Sequence, residues 1–180
     1  VRELCTEKLK NTVFQINMKL NFILIFFALL FTSCYSFKGV SISPEINTYY
    51  VGNFEHKSQN APADIHIVFG EALRNKIRNE SRLKLSDENA DIIFDGEVNR
   101  FDVLAEAPIE GNTVALNKLE IGVQIKYMNE KNEKESYTKN FTFFRTFPGD
   151  QDLQSVQDAL IKDIFDQLTE KIFNETFTTW

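Results

Sequence analysis

Leu119-Glu120-Ile121-Gly122-Val123-Gln124-Ile125-Lys126-Tyr127 alternates without a slip. Leu119, Ile121, Val123, Ile125 and Tyr127 fall on one face, and Glu120, Gly122, Gln124 and Lys126 on the other. This period of two predicts a half-buried antiparallel strand. Asn129–Lys134 is polar and reads as a turn. Tyr137–Phe147 then returns with Phe141, Phe143 and Phe147 on one face, so the two runs form a hairpin. Thr138, Asn140, Thr142 and Thr146 fill its other face, and Phe144 is the exception among them. An aromatic on a polar sheet face is a candidate partner contact.

Upstream, Asp91–Leu104 is a long strand with a change of phase. Ile92, Phe94 and Val98 share one parity, while Phe101 and Val103 take the other. A bulge between Val98 and Phe101 restores a common buried face. Ala105–Thr113, with Pro108 and Gly111, reads as a loop. Thr48–Phe54 suits a first strand, His56–Ala61 a loop, and Leu83–Leu85 a short further strand. Pro62 opens a helix through about Glu80, with Ile65, Phe69, Ala72, Leu73 and Ile77 at helical spacing. A second helix runs from about Leu153 to Phe177 on the stripe Leu153, Val156, Leu160, Ile161, Ile164, Phe165, Leu168 and Ile172. Ser155 and Asp158 resemble its capping box. The order β-α-β-β-β-β-α predicts an α+β two-layer sandwich: a mostly antiparallel sheet of four to five strands with two helices on one face.

The N-terminus reads as an address. Phe22–Phe31 is ten apolar residues without a charge, too short to span a bilayer and the right length for a signal core. Met18-Lys19 precedes it, and Thr32-Ser33-Cys34 follows it as a bacterial lipobox, with Phe31 where an aliphatic residue is usual. Residues 1–17 are expected to be a wrongly assigned upstream start, the alternative being a long signal n-region. Residues 18–33 are the expected signal peptide, 34–47 a lipidated lead, and 48–180 one domain. Acylation of Cys34 through its thiol anchors the chain stably, because two or more acyl chains are needed for durable binding. Residues 1–33 hold four basic and two acidic side chains, so residues 34–180 carry 16 basic against 24 acidic, net -8. That charge is a poor match for nucleic acid, whose binders neutralise phosphates.

The motifs of enzymes are missing. There is no P-loop, no Gly-x-Gly-x-x-Gly, no His-Glu-x-x-His and no Gly-x-Ser-x-Gly. With two His in 180 residues and no metal-ligand spacing, neither a metal site nor a cofactor is expected. His56 and His66 read as solvated or half-buried, and the acidic clusters at Asp87–Asp91 and Asp150–Asp152 lack EF-hand spacing. No catalytic residue is assigned and the chain is read as a non-enzyme. The C-terminal Phe177 and Trp180 either cap the core or contact a partner. Arg74, Lys76, Arg78, Arg82 and Lys84 form the densest basic group.

Cys34-Tyr35-Ser36-Phe37-Lys38-Gly39, Ser41-Ile42-Ser43-Pro44, Ala115-Leu116-Asn117-Lys118-Leu119 and Ser155-Val156-Gln157-Asp158-Ala159-Leu160-Ile161 occur in this order, ending at Trp180. In order and spacing they resemble the LptE-type lipopolysaccharide-assembly lipoproteins, in the form found in Bacteroidetes. The resemblance implies a lipoprotein on the periplasmic leaflet of the outer membrane. It implies a partner, a large LptD-type β-barrel that inserts lipopolysaccharide into the outer leaflet, for which such proteins serve as assembly partner and plug. It also implies helices packed on one face of a sheet. Lipopolysaccharide itself is a further candidate ligand, with the basic group Arg74 to Lys84 as candidate contacts, although a net charge of -8 disfavours broad attraction to an anionic lipid. Phe144, Phe177 and Trp180 are the candidate contacts for the barrel. The competing expectation is a periplasmic lipoprotein binding module for a cell-wall enzyme or soluble ligand.

Overall fold

Paired alternation builds the centre of the molecule. In the computed structural model, which describes residues 41–87, 89–106 and 115–178, Leu116–Asn129 is a continuous strand. It pairs antiparallel with Ile92–Glu106 on one side and Tyr137–Pro148 on the other. These three strands are β5, β4 and β6. A short 3-10 turn, Glu133–Glu135, lies between β5 and β6. β1 (Thr48–Val51), β2 (Glu55–His56) and β3 (Lys84–Leu85) complete a six-stranded sheet. Its order is β3-β1-β4-β5-β6, with β2 also on β4. The helices are α1 (Ile65–Glu80) and α2 (Leu153–Phe177). The α+β architecture is therefore the expected one, with one strand more than expected.

The additional strand comes from a break. Thr48–Phe54 does not run as one strand: β1 follows β4 from Tyr49↔Ile92 to Val51↔Phe94, and β2 resumes at Glu55↔Glu97. Gly52 N–H still donates to Phe94 O at 2.9 Å, and Lys57 N–H to Val98 O at 3.0 Å. Both short strands are parallel to β4, and β3 is parallel to β1. The α1 crossover between β1 and β3 supplies the connection that parallel neighbours require.

The phase change in β4 is a bulge. Val98 faces Val123 and Arg100 faces Gly122, so Asn99 is the extra residue. A Cβ on Gly122 would lie 3.0 Å from Arg100 Cβ and 3.1 Å from Asn99 Oδ1. Glycine there makes room for two bulge side chains on one side of the sheet.

The helices cover the face carrying Phe94, Val98, Phe101, Ile121, Val123 and Ile125. Buried phenylalanines fill much of the gap between layers. Phe69 on α1 meets Phe54 at 4.9 Å and Phe165 on α2 at 5.1 Å, both edge to face. Phe94 stacks at an angle on Tyr127 at 5.1 Å and meets Phe177 at 6.3 Å. Such pairs stabilise by about 0.5–1.5 kcal/mol beyond the area they bury.

Two local expectations are corrected. α1 begins at Ile65, three residues after Pro62, because Pro62 O accepts the Ile65 N–H in a turn that precedes the regular helix. α2 begins at Leu153, so Ser155 lies inside it. The Ser155 hydroxyl donates back to Asp152 O at 2.6 Å, and no capping box forms with Asp158.

Candidate functional interface

One layer of helices leaves the other face of the sheet uncovered among the described residues. That face carries Asp95, Glu97, Arg100, Asp102 and Leu104 from β4, Lys118, Glu120, Gln124 and Lys126 from β5, and Thr138, Asn140, Thr142, Phe144 and Thr146 from β6. Some of its charges are paired across strands, as Asp95 is set opposite Lys126. Arg100 donates to Glu120 at 2.7 Å, and Lys118 lies 3.4 Å from the same carboxylate. The Arg100 hydrogen bond, helped by Lys118, holds the Glu120 carboxyl below its ordinary pKa. Asn99 bonds Asn140 across β5 at 3.2 Å. The surface is mostly polar, carries internal charge pairs, and is broken by two exposed large apolar side chains, with Ile93 and Met128 part-buried at one end.

Phe144 is one of them, 46% exposed as the alternation implied. It faces Glu120 across the strand pair, and the Lys118 ammonium lies 5.0 Å from its ring. Leu104, also 46% exposed, is paired with Lys118 on the other side. An exposed large apolar pair around a lysine is a patch that a partner can desolvate. Leu104 did not emerge from the sequence as a contact; the phase change at the bulge is the signal that placed it on this face.

Phe177 takes the other role open to it. It is 3% exposed, its ring 4.9 Å from Phe173, and it belongs to the core rather than to the surface. Its carbonyl also accepts Ser41 N–H at 2.9 Å, tying the start of the described chain to the end of α2. Trp180 and Cys34 lie outside the described residues, as do the expected signal peptide and residues 107–114, which take in most of the expected loop.

The basic group does not assemble into one patch. Arg74 donates to Val51 O at 3.2 Å and pairs with Glu71. Lys76, with a side chain 15% exposed, bridges Glu80 at 2.6 Å and Glu170 of α2, with its ammonium 5.7 Å over Phe173. Burial opposes its charge, but the hydrogen bonds to Glu170 and Glu80 prevail and raise its pKa. Arg78 donates to Asn75. Arg82 donates to Ser43 O at 2.7 Å and to Asn47 Oδ1 at 3.2 Å, fastening the lead to the end of α1. Lys84 is exposed on β3. Arg74 and Arg78, four residues apart, share a face of α1, while Lys76 turns from them toward α2.

No catalytic constellation emerges among the described residues. His56 and His66 do approach, with ring centroids 5.8 Å apart and His66 Nδ1 buried without a protein partner. No group of three His, Cys, Asp or Glu side chains able to hold a metal ion occurs among the described residues. No helix among them is long and apolar enough to cross a membrane.

An antiparallel-centred sheet with two helices on one face defines an α+β two-layer fold. Residues 46–176 match the family model described as LptE, lipopolysaccharide-assembly, and the chain belongs to that family. The family is one of non-enzymatic lipoproteins. No curated protein sequence matches the chain. Among solved structures, the fold is similar to that of a hypothetical protein from Chlamydia trachomatis, at 8% identity and a TM-score of 0.51, covering 74% of this chain and 99% of that one. Lipoprotein B from Nitrosomonas europaea is similar at 15% identity and a TM-score of 0.49, covering 71% and 80%. The rare lipoprotein B from Shewanella oneidensis is similar at 12% identity and 0.47, covering 69% and 91%.

Proposed function

We propose that this chain is the lipid-anchored, non-catalytic partner and plug of an LptD-type outer-membrane β-barrel that inserts lipopolysaccharide into the outer leaflet. The observation that carries the proposal is family membership across residues 46–176. The geometry supports it in a specific way. The interior of a large transmembrane barrel is polar and is filled by polar elements. The uncovered sheet face offers threonine, asparagine, glutamine and paired charges, with Phe144 and Leu104 as anchors. Acylated Cys34 would hold the module at the periplasmic leaflet.

A barrel-partner role stands ahead of a lipopolysaccharide-carrier role. Arg74, Lys76, Arg78 and Arg82 are engaged by their own chain, which leaves Lys84 as the most accessible of the candidate lipid contacts.

The test is isolation of the tagged full chain from its native membranes in mild detergent, followed by mass spectrometry. The expected result is an equimolar outer-membrane barrel of the LptD type. Recovery with cell-wall synthases, or alone although acylated, would overturn the proposal in favour of a periplasmic binding module.

A further inference from the structure

The two edges of this sheet are very unequal. β3, at one edge, has two residues. β6, at the other, has twelve, and it pairs with β5 from Tyr127↔Tyr137 to Leu116↔Pro148 without a register shift. No strand among the described residues pairs with its outer side. A long regular edge presents a row of backbone donors and acceptors to any extended chain, and monomers usually blunt such edges with bulges, proline, brevity, charged side chains or a covering element. β6 has no bulge, and its proline stands only at the last position, Pro148. Its centre, Asn140-Phe141-Thr142-Phe143-Phe144, is uncharged and made largely of strong strand formers. Asn140, Thr142 and Phe144 are exposed.

Charge says what fits there. β6 contains Lys139 and Arg145 and no acidic residue, in a chain of net charge -6. Lys171 of α2 reaches the same strand, donating to Thr142 O at 3.3 Å with its ammonium 4.7 Å from the Phe143 ring. Lys139 pairs with Glu175 at 2.7 Å and Arg145 with Asp163 at 3.2 Å, both in exposed pairs of the kind that contribute little. A second copy is the poorer occupant. Antiparallel self-pairing centred on Thr142 sets Lys139 directly opposite Arg145 twice, and like charges directly opposite are destabilising.

We propose that β6 is completed by an extended segment of the barrel partner, bearing Asp or Glu, that adds to the sheet as a seventh strand. The inference rests on the barrel reading above and specifies its contact. Strand addition draws affinity from main-chain hydrogen bonds and selectivity from alternate side chains. The strand's cations and its Phe143 and Phe144 supply that selectivity.

The test places a photoreactive benzoylphenylalanine at Asn140 or Thr142 of the full chain in native membranes, with Lys84 on the opposite edge as the control. Cross-linked peptides are then mapped. The expected outcome is one extended acidic stretch of the barrel, joined at both positions with a matching two-residue offset, at roughly tenfold the yield from position 84. Cross-links to a second copy, or to residues 1–40 of the same chain, would overturn the proposal. So would their absence while the barrel still co-purifies, and in that case the plug reading survives. If no barrel co-purifies, both fall. As a second measurement, the pair Asn140→Asp and Thr142→Asp should cut barrel recovery about tenfold at an unchanged melting temperature, through repulsion of the incoming acidic strand. Unchanged recovery contradicts strand addition.

Discussion

Asp91 and Thr48 grip each other. The Asp91 carboxylate accepts the Thr48 N–H and hydroxyl, each at 3.0 Å, while Thr48 Oγ1 accepts the Asp91 N–H at 2.9 Å. The same carboxylate takes Asn47 N–H at 2.8 Å and pairs with Lys131 at 2.9 Å. One side chain thus joins the start of β1, the start of β4 and the turn after β5.

Those bonds, the Asn47 N–H first and then Lys131, hold the Asp91 carboxyl well below its ordinary pKa of 3.8. A depressed carboxylate pKa contributes stability that is complete above the unfolded value and is lost as pH falls below it. Asp91→Ala should therefore cost about 2–3 kcal/mol at neutral pH. The gap from the parent chain should narrow below about pH 4 as the parent's carboxylate protonates. Urea unfolding at a series of pH values measures both effects. A gap that widens on acidification would contradict this assignment.

Gly96 admits no side chain. Its φ is 159°, and a Cβ there would lie 1.9 Å from the Gln124 carbonyl oxygen on the neighbouring strand and 3.0 Å from Phe54. The obstacle is backbone, which cannot rotate away. Gly96→Ala should therefore cost at least about 1–3 kcal/mol through forced displacement of β4 from β5. The check is the midpoint of chemical unfolding, with a loss of the β4–β5 amide protection in hydrogen exchange.

The parts of this molecule that were legible in the sequence are those set by local period. The alternation at Leu119–Tyr127 placed β5, the changed parity at Phe101 placed the bulge, and the stripe from Leu153 placed α2. Phe144 could be assigned to the polar face because its neighbours at 142 and 146 are threonines. What escaped was decided at a distance. β2 is two residues long, and its pairing depends on β4 rather than on its own pattern. The start of α1 shifted because a backbone turn, not a side-chain cap, sets it, and in α2 the start stood where expected while the capping box did not form. The basic residues 74 to 84 are dense along the chain but diverge in space, since helix geometry and acidic neighbours divide them. Phe177 was undecided because a helix end carries no periodic signal beyond its last turn; Phe94 and Phe173 decide it.

Phe177 and Phe144 should separate folding from contact. Phe177→Ala removes a ring packed on Phe94 and Phe173 and should cost about 3–5 kcal/mol. Phe144→Ala removes a half-exposed ring and should shift stability by no more than about 0.5 kcal/mol. Under the barrel reading, Phe144→Ala also lowers recovery of the barrel from native membranes, whereas a folded Phe177→Leu chain does not. Thermal unfolding and barrel recovery, measured on the same preparations, give the two readouts. Equal barrel recovery from Phe144→Ala and the parent chain would remove Phe144 from the interface.

Alkaline pH should loosen the end of the sheet nearest Ser41. Tyr137 lies half-buried there, its ring 5.2 Å from Tyr127 and its hydroxyl 2.8 Å from Thr176 Oγ1. Burial pushes its phenol up to about 12 from an ordinary 10.0. Burial also raises Tyr127 and Tyr49. A phenol raised in the folded state stabilises fully below its unfolded pKa, and that stability is lost as pH rises toward the folded value. The chain should therefore weaken between pH 10 and 12, with tyrosinate absorbance at 295 nm lagging behind that of a denatured sample. Tyr137→Phe should flatten part of this slope, leaving the share due to Tyr127 and Tyr49. An identical slope in the variant would show that Tyr137 ionises freely in the folded chain.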